Sequence, residues 1–178
     1  MRNQIAFISG HRRITNEEFD KHYVPRLDAG MINGDIFLVG DYYGVDDIAQ
    51  RYLFSKKYPE SHIRVYHMFK EPRVCHSTFK VGGFTSDESR DAEMTFASSY
   101  DIAWVRPGRE NSGTAQNLAR RQKQYLMLDI ESRRIDLINE MDSTSKKFDE
   151  FFQKMHDHLD IEWKKVSGEF VEESEGEL

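Results

Sequence analysis

The sequence predicts an α/β domain of Rossmann-like type, a parallel sheet flanked by helices, with a long C-terminal helical extension. Three observations carry this expectation. Short apolar runs each end at a turn, helical patterns stand between them, and residues 118–160 contain neither Gly nor Pro. Repeated βα units whose strands are uniformly apolar belong to parallel sheets covered on both faces.

Residues 4–9 (QIAFIS) form the first apolar run and stop at Gly10, which suits a buried strand. Thr15 and Glu18 then form a capping box, the hydroxyl accepting from the third amide while the carboxylate reaches back. A helix carrying Phe19, Tyr23 and Leu27 follows, with a kink or break at Pro25. Residues 35–40 (DIFLVG) read as a second strand, and residues 45–57 as a helix with Ile48, Ala49, Tyr52 and Leu53 on one face. Residues 62–68 read as a third strand, and residues 70–86 as loop. Ser86 caps a helix over residues 87–97, residues 101–105 (DIAWV) form a fourth strand, and a further helix begins at Gly113. Beyond residue 117 the charged, Leu- and Ile-rich composition favours long helices, with apolar residues such as Leu128, Ile135, Ile138 and Met141 at helical spacings. This arm is expected to pack on the sheet domain or on a second subunit, making the protein a homo-oligomer. The expected organisation is a nucleotide-binding domain over residues 1–120, a helical extension over 121–165, and an acidic tail over 166–178 whose last ten residues hold five glutamates and read as solvated.

A net charge of −6 argues against general nucleic-acid binding through a basic face, yet leaves room for a local pocket built from a few arginines. The lone cysteine, Cys75, cannot form an internal disulfide and fits a reducing compartment. No apolar run approaches the roughly 20 residues that cross a bilayer, and the N-terminal segment lacks a signal-peptide core. A cytosolic protein without membrane attachment is therefore expected.

In open parallel sheets, ligands sit outside the carboxyl ends of the strands. Three strand ends here carry polar or glycine-rich loops. The first presents Ser9, Gly10, His11 and Arg12. The second runs from Gly40 through Asp41, Tyr42 and Tyr43 to Gly44, directly before a helix, where oriented amides stabilise an anion. The third contains Pro107, Gly108, Arg109, Glu110 and Asn111 and delivers Ser112, Gly113 and Thr114 to a helix start. Amides, hydroxyls and arginines in that arrangement suit phosphate oxygens. A tyrosine at the second loop suits stacking on a base. The chain has no GxxxxGK[ST] motif, and its first βα turn lacks GxGxxG, which argues against a P-loop NTPase and a conventional dinucleotide dehydrogenase.

Ser89-Arg90-Asp91-Ala92-Glu93-Met94, the strand through Tyr100–Val105, Pro107-Gly108 and Ser112-Gly113-Thr114 together resemble the RKAxM, strand, PGGxGTxxE signature of LOG-type phosphoribohydrolases. Their wider group, the SLOG superfamily, includes the DNA-processing Smf/DprA proteins. The segment from Val39 to Asp41, with Gly44 and the following helix to Gln50, is similar to that superfamily's glycine loop. The resemblance spans residues 4–120. It implies N-glycosidic chemistry on a nucleoside 5′-monophosphate, with Arg90 anchoring the ligand and Gly113 and Thr114 holding phosphate. The motif glutamate falls on Asn117, and an amide supplies neither a general base nor a full charge. Glu110, Asp41, and Asp87 or Glu88 are candidate replacement carboxylates, while Asn117 reads as a ligand or loop contact. The nucleoside deoxyribosyltransferases, a related group, draw their carboxylate from a different part of a similar site. Two readings follow: hydrolysis or transfer of an N-glycosidic bond with Arg90, Glu110 and Asp41 as catalytic residues, or non-catalytic binding of a nucleotide signal. No cofactor is expected. Neither Cys75-His76 nor His156 with His158 carries the further ligands that a zinc site needs, so no metal is expected.

Overall fold

In the computed structural model the backbone is described for residues 3–167 and the side chains through residue 158. From residue 168 onward, the expected acidic tail lies outside the described residues. The chain divides into two compact units, residues 1–127 and residues 128–178.

The first unit is built on a five-stranded, fully parallel sheet in the order β4-β3-β2-β1-β5. Strand β1 (Ile5–Ser9) pairs with β2 (Ile36–Gly40) on one side and β5 (Tyr100–Ala103) on the other. Strand β3 (Ile63–Tyr66) continues the sheet, and β4 (Lys80–Val81) forms its edge. The expected fourth strand is thus the fifth. The segment read as loop over residues 70–86 contains β4, whose two residues are too few to show a period. The chain moves outward from β1 to β4 and then returns to the far side of β1, so the topological switch point lies between β1 and β5.

Alternation of side chains gives each sheet face its own core. Ala6, Ile8, Phe37, Val39, Ile63, Val65 and Ile102 pack with residues of α1 (Asn16–His22), α2 (Val24–Asn33) and α3 (Val45–Ser55). Phe7, Leu38 and Tyr66 pack against Met94 of α4 (Asp87–Ala97). Both capping boxes form at helix starts: Thr15 accepts from the Glu18 amide, and Ser86 from the Ser89 amide. The expected kink near Pro25 is a break. Tyr23 ends α1 and begins α2, with Pro25 in the first turn, where its missing N–H costs no helical bond.

Helix α5 runs without interruption over Gly113–Ser167, one helix where several were expected. Its first turns dock through a buried ion pair, Arg121 Nε to Asp101 Oδ2 at 2.9 Å, with Arg121 also donating to the Ser98 carbonyl. In the second unit, the described side chains of α5 are exposed throughout. Among the described residues, no helix is long and apolar enough to cross a membrane.

Candidate functional site

Tyr23 ties together the two strand ends that flank the switch point. Its buried hydroxyl donates to the Ser9 carbonyl at 3.1 Å and accepts from the Trp104 amide at 3.2 Å. Burial raises its pKa well above the usual phenol value, so it stays neutral. Gly10 sits beside this contact because nothing larger fits: a Cβ there would fall 2.3 Å from Val45 and 2.5 Å from the Tyr23 hydroxyl. Gly44 is required twice over. Its φ is +91°, and a Cβ would meet the carbonyls of His11 and Arg12 at about 2.5 Å.

These constraints bring the β1 and β5 loops face to face around a cavity of about 350 Å³, lined by His11, Arg12, Arg13, Arg106 and Arg109. The Arg106 amide donates to His11 Nε2 at 2.9 Å, which fixes that nitrogen as an acceptor. Burial, and then the charges of Arg106 and Arg109, hold the His11 pKa below its ordinary value and leave the ring neutral. Arg106 is answered by Glu18 at 2.5 Å, whereas Arg12, Arg13 and Arg109 have no carboxylate partner among the described residues. Arg109 also lines a neighbouring cavity of about 240 Å³ with Gly108, Asn111 and Ser112. Gly108 turns the loop at a φ of +78°, and its amide donates to Glu110. Pro107 and Glu110 are exposed, and Ser112 accepts from the Ala115 amide, capping α5. Gly113 and Thr114 open that helix, where first-turn amides have no intrahelical acceptor. The first and third predicted loops therefore meet in one crevice.

The second predicted loop is arranged differently. The amide of Tyr42 donates to Asp46 and that of Val45 to the His11 carbonyl, so the protein itself occupies these two donors. The Tyr42 ring carries Arg73 at 4.4 Å from its centroid and Arg12 at 5.4 Å. Gly40 is closely hemmed in, since a Cβ would fall 2.3 Å from Asp46 and 3.3 Å from Arg90.

Asp41 and Arg90 are brought together, but as mutual partners in a dense ionic network. Fully buried Asp41 pairs with Arg90 at 2.8 Å and Arg73 at 2.5 Å. Arg90 also binds Asp87 and Asp91, both at 2.7 Å. Burial alone would push the Asp41 carboxyl up, but hydrogen bonds and charge from Arg73, then the charge of Arg90, hold it below its usual value. Asn117 is buried and donates to Asp91 at 2.9 Å while accepting from Arg120. Asp46 lies beside this network with a single hydrogen bond among the described residues, from the Tyr42 amide. Burial raises its pKa to about 7, against the opposing charge of Arg90. Ser9 Oγ is buried without a partner among the described residues.

Sequence reasoning did not single out Arg73, Asp46, Asp91 or Arg121. Asp46 and Asp91 stand among ordinary helix acids, and the pairing of Arg73 with Asp41 spans 32 residues. Nothing local marks them. Cys75 donates to the Ser77 carbonyl and His76 contacts Asp47, so each has a local partner.

No protein-family model, no curated protein and no solved structure matches the chain.

Proposed function

We propose that this chain binds a nucleotide or nucleotide-derived small molecule at the switch-point crevice, with His11, Arg12, Arg13, Arg106 and Arg109 receiving its phosphate. One observation carries the reading: four guanidinium groups surround one cavity and only one has a carboxylate partner among the described residues. Such convergence is electrostatically unfavourable until an anion arrives, and guanidinium forks match phosphate oxygens. The protein's net charge of −6 makes this a local site for a small anion, distinct from a general nucleic-acid surface. The SLOG resemblance supports the same choice, because it places the phosphate at Gly113 and Thr114, at the end of the same loop.

Binding without turnover is the reading that the geometry favours. Arg90 is held by three carboxylates, and Asn117 occupies the position of the motif glutamate. One observation favours N-glycosidic hydrolysis or transfer: Asp91 contacts both Arg90 and Asn117, placing a carboxylate beside the amide. Incubation with nucleoside monophosphates and NAD-like compounds, followed by mass spectrometry, separates the two. Unchanged ligand with a raised melting temperature supports binding. Release of a free base supports the enzyme, and no thermal shift with any compound defeats both. The exposed apolar residues of α5 further support a homo-oligomer, and a monomeric mass by light scattering at high concentration would refute it.

A further inference from the structure

His11 is the side chain of the β1–β5 crevice whose proton the fold places. The Arg106 amide donates to Nε2 at 2.9 Å, so in the neutral ring the proton sits on Nδ1. His11 is only 8% exposed and lines the cavity, yet Nδ1 has no hydrogen-bond partner among the described residues. A second proton would set an N–H against the Arg106 amide. It would also add a fifth positive charge to Arg12 and Arg13 of the same loop and Arg106 and Arg109 of the facing one. Burial lowers the His11 pKa first, then the charges of Arg106 and Arg109, with Glu18 of α1 opposing. That carboxylate is already engaged, both oxygens accepting from Arg106 and one also from the Thr15 amide. His22 of α1 stands one ring further off, stacked on Trp104, which meets His11 in a T-shaped contact.

The five lining side chains therefore offer hydrogen-bond donors and no free acceptor. Guanidinium groups have none to give, and His11 Nε2 is taken. Such a cavity suits a group that carries acceptors alone. A fully ionised terminal phosphate presents three acceptor oxygens and no proton. A singly protonated phosphate keeps an O–H that finds no acceptor among these side chains, and a phosphodiester brings only a single charge to the arginines. We propose that the crevice takes a terminal phosphate monoester as its dianion and discriminates against phosphodiesters, with neutral His11 donating to a phosphate oxygen through Nδ1–H. This deepens the nucleotide-binding reading and rests on it. It narrows the ligand to a molecule that ends in a phosphate and sets aside cyclic and bridging phosphates.

The test titrates the full chain by calorimetry between pH 5 and pH 7.5. The probes are the 5′-monophosphates of adenosine, guanosine, cytidine and uridine, each beside its methyl phosphodiester. The second phosphate proton leaves at about pH 6, so the best-bound monophosphate should tighten about 10-fold across that range. Its methyl ester lacks that proton. The ester should bind at least about 10-fold more weakly at pH 7.5 and show no matching rise. That control separates the ligand's titration from that of the protein's own groups, Asp46 among them. A flat profile for the monophosphate, a parallel rise in the ester or equal affinity of the two would overturn the proposal while leaving nucleotide binding intact. Tightening on acidification would mean that a protonated His11 receives the phosphate, and would also overturn it. Nitrogen-15 spectra of the ligand-bound protein at pH 7 should show His11 as the Nδ1–H tautomer, and an imidazolium there would contradict its role. Binding of none of the four at any pH would overturn the proposal and the nucleotide reading together.

Discussion

Arg73 and Arg90, at the end of β2, and Arg12, Arg13 and Arg109, between the ends of β1 and β5, belong to the same sheet edge but live in opposite electrostatic circumstances. The first pair is largely withdrawn from solvent and wrapped by Asp41, Asp87 and Asp91. The second group is exposed, converges on a cavity, and has no carboxylate partner among the described residues. Buried charges demand compensation within the fold. Exposed like charges gathered around a hollow are compensated by whatever binds there. The contrast separates arginines that hold the domain together from arginines that the fold leaves open to the anion proposed above.

The sharpest way to break this contrast is Asp41→Asn. Losing one partner of a buried ionic pair leaves uncompensated charge and costs about 3–5 kcal/mol, so urea denaturation should show a loss of that order. A variant as stable as wild type would mean that Arg73 and Arg90 are not structural, and would return them to the list of ligand contacts.

Arg12→Ala and Arg109→Ala should do the reverse. Each should change stability by no more than about 0.5 kcal/mol, because neither side chain has a carboxylate partner among the described residues and each crowds its neighbours. Each removes a charge-assisted hydrogen bond worth about 1.5–3 kcal/mol, so nucleotide affinity measured by calorimetry should fall about 10- to 100-fold. Stability lost in step with affinity would erase the distinction between the clusters.

A finer test lies in pH. Asp46, buried beside the ionic network, has its pKa raised from 3.8 to about 7. The folded chain therefore keeps a proton that the unfolded chain releases. That contribution to stability is complete below about pH 4, declines as pH rises towards 7, and is gone above it. Asp41 has the opposite sign: its lowered pKa stabilises the fold above the free-carboxylate range and is lost on acidification. Asp46→Asn should flatten the fall in Tm between pH 4 and 7, gaining on wild type at pH 8 relative to pH 4. An unchanged slope would show that Asp46 does not carry the proton.

The same contrast explains what could be read from the chain alone. The loops at Gly10, Gly44 and Gly108 were legible because turns and strand ends leave local marks, and parallel-sheet topology brings their ends together. The reason for Gly10 was not legible. It answers to the Tyr23 hydroxyl and Val45, contacts that exist only after folding. Arg73 with Asp41, and Arg121 with Asp101, are likewise pairings across 32 and 20 residues that no motif announces. The helical character of residues 118–160 was plain from composition, yet its continuity as one helix from Gly113 was not, since missing breakers do not by themselves join helices. β4, with two residues on the sheet edge, left no trace at all.

Nucleoside monophosphates titrated by calorimetry at low and high salt, into wild type and an Arg12→Ala, Arg109→Ala double variant, will show whether the arginines of the β1–β5 crevice receive a phosphorylated ligand. Binding to wild type should be saturable, weaken with salt, and be lost in a double variant of unchanged Tm. Equal affinity in the two proteins, or heat from neither with any nucleotide, would contradict it.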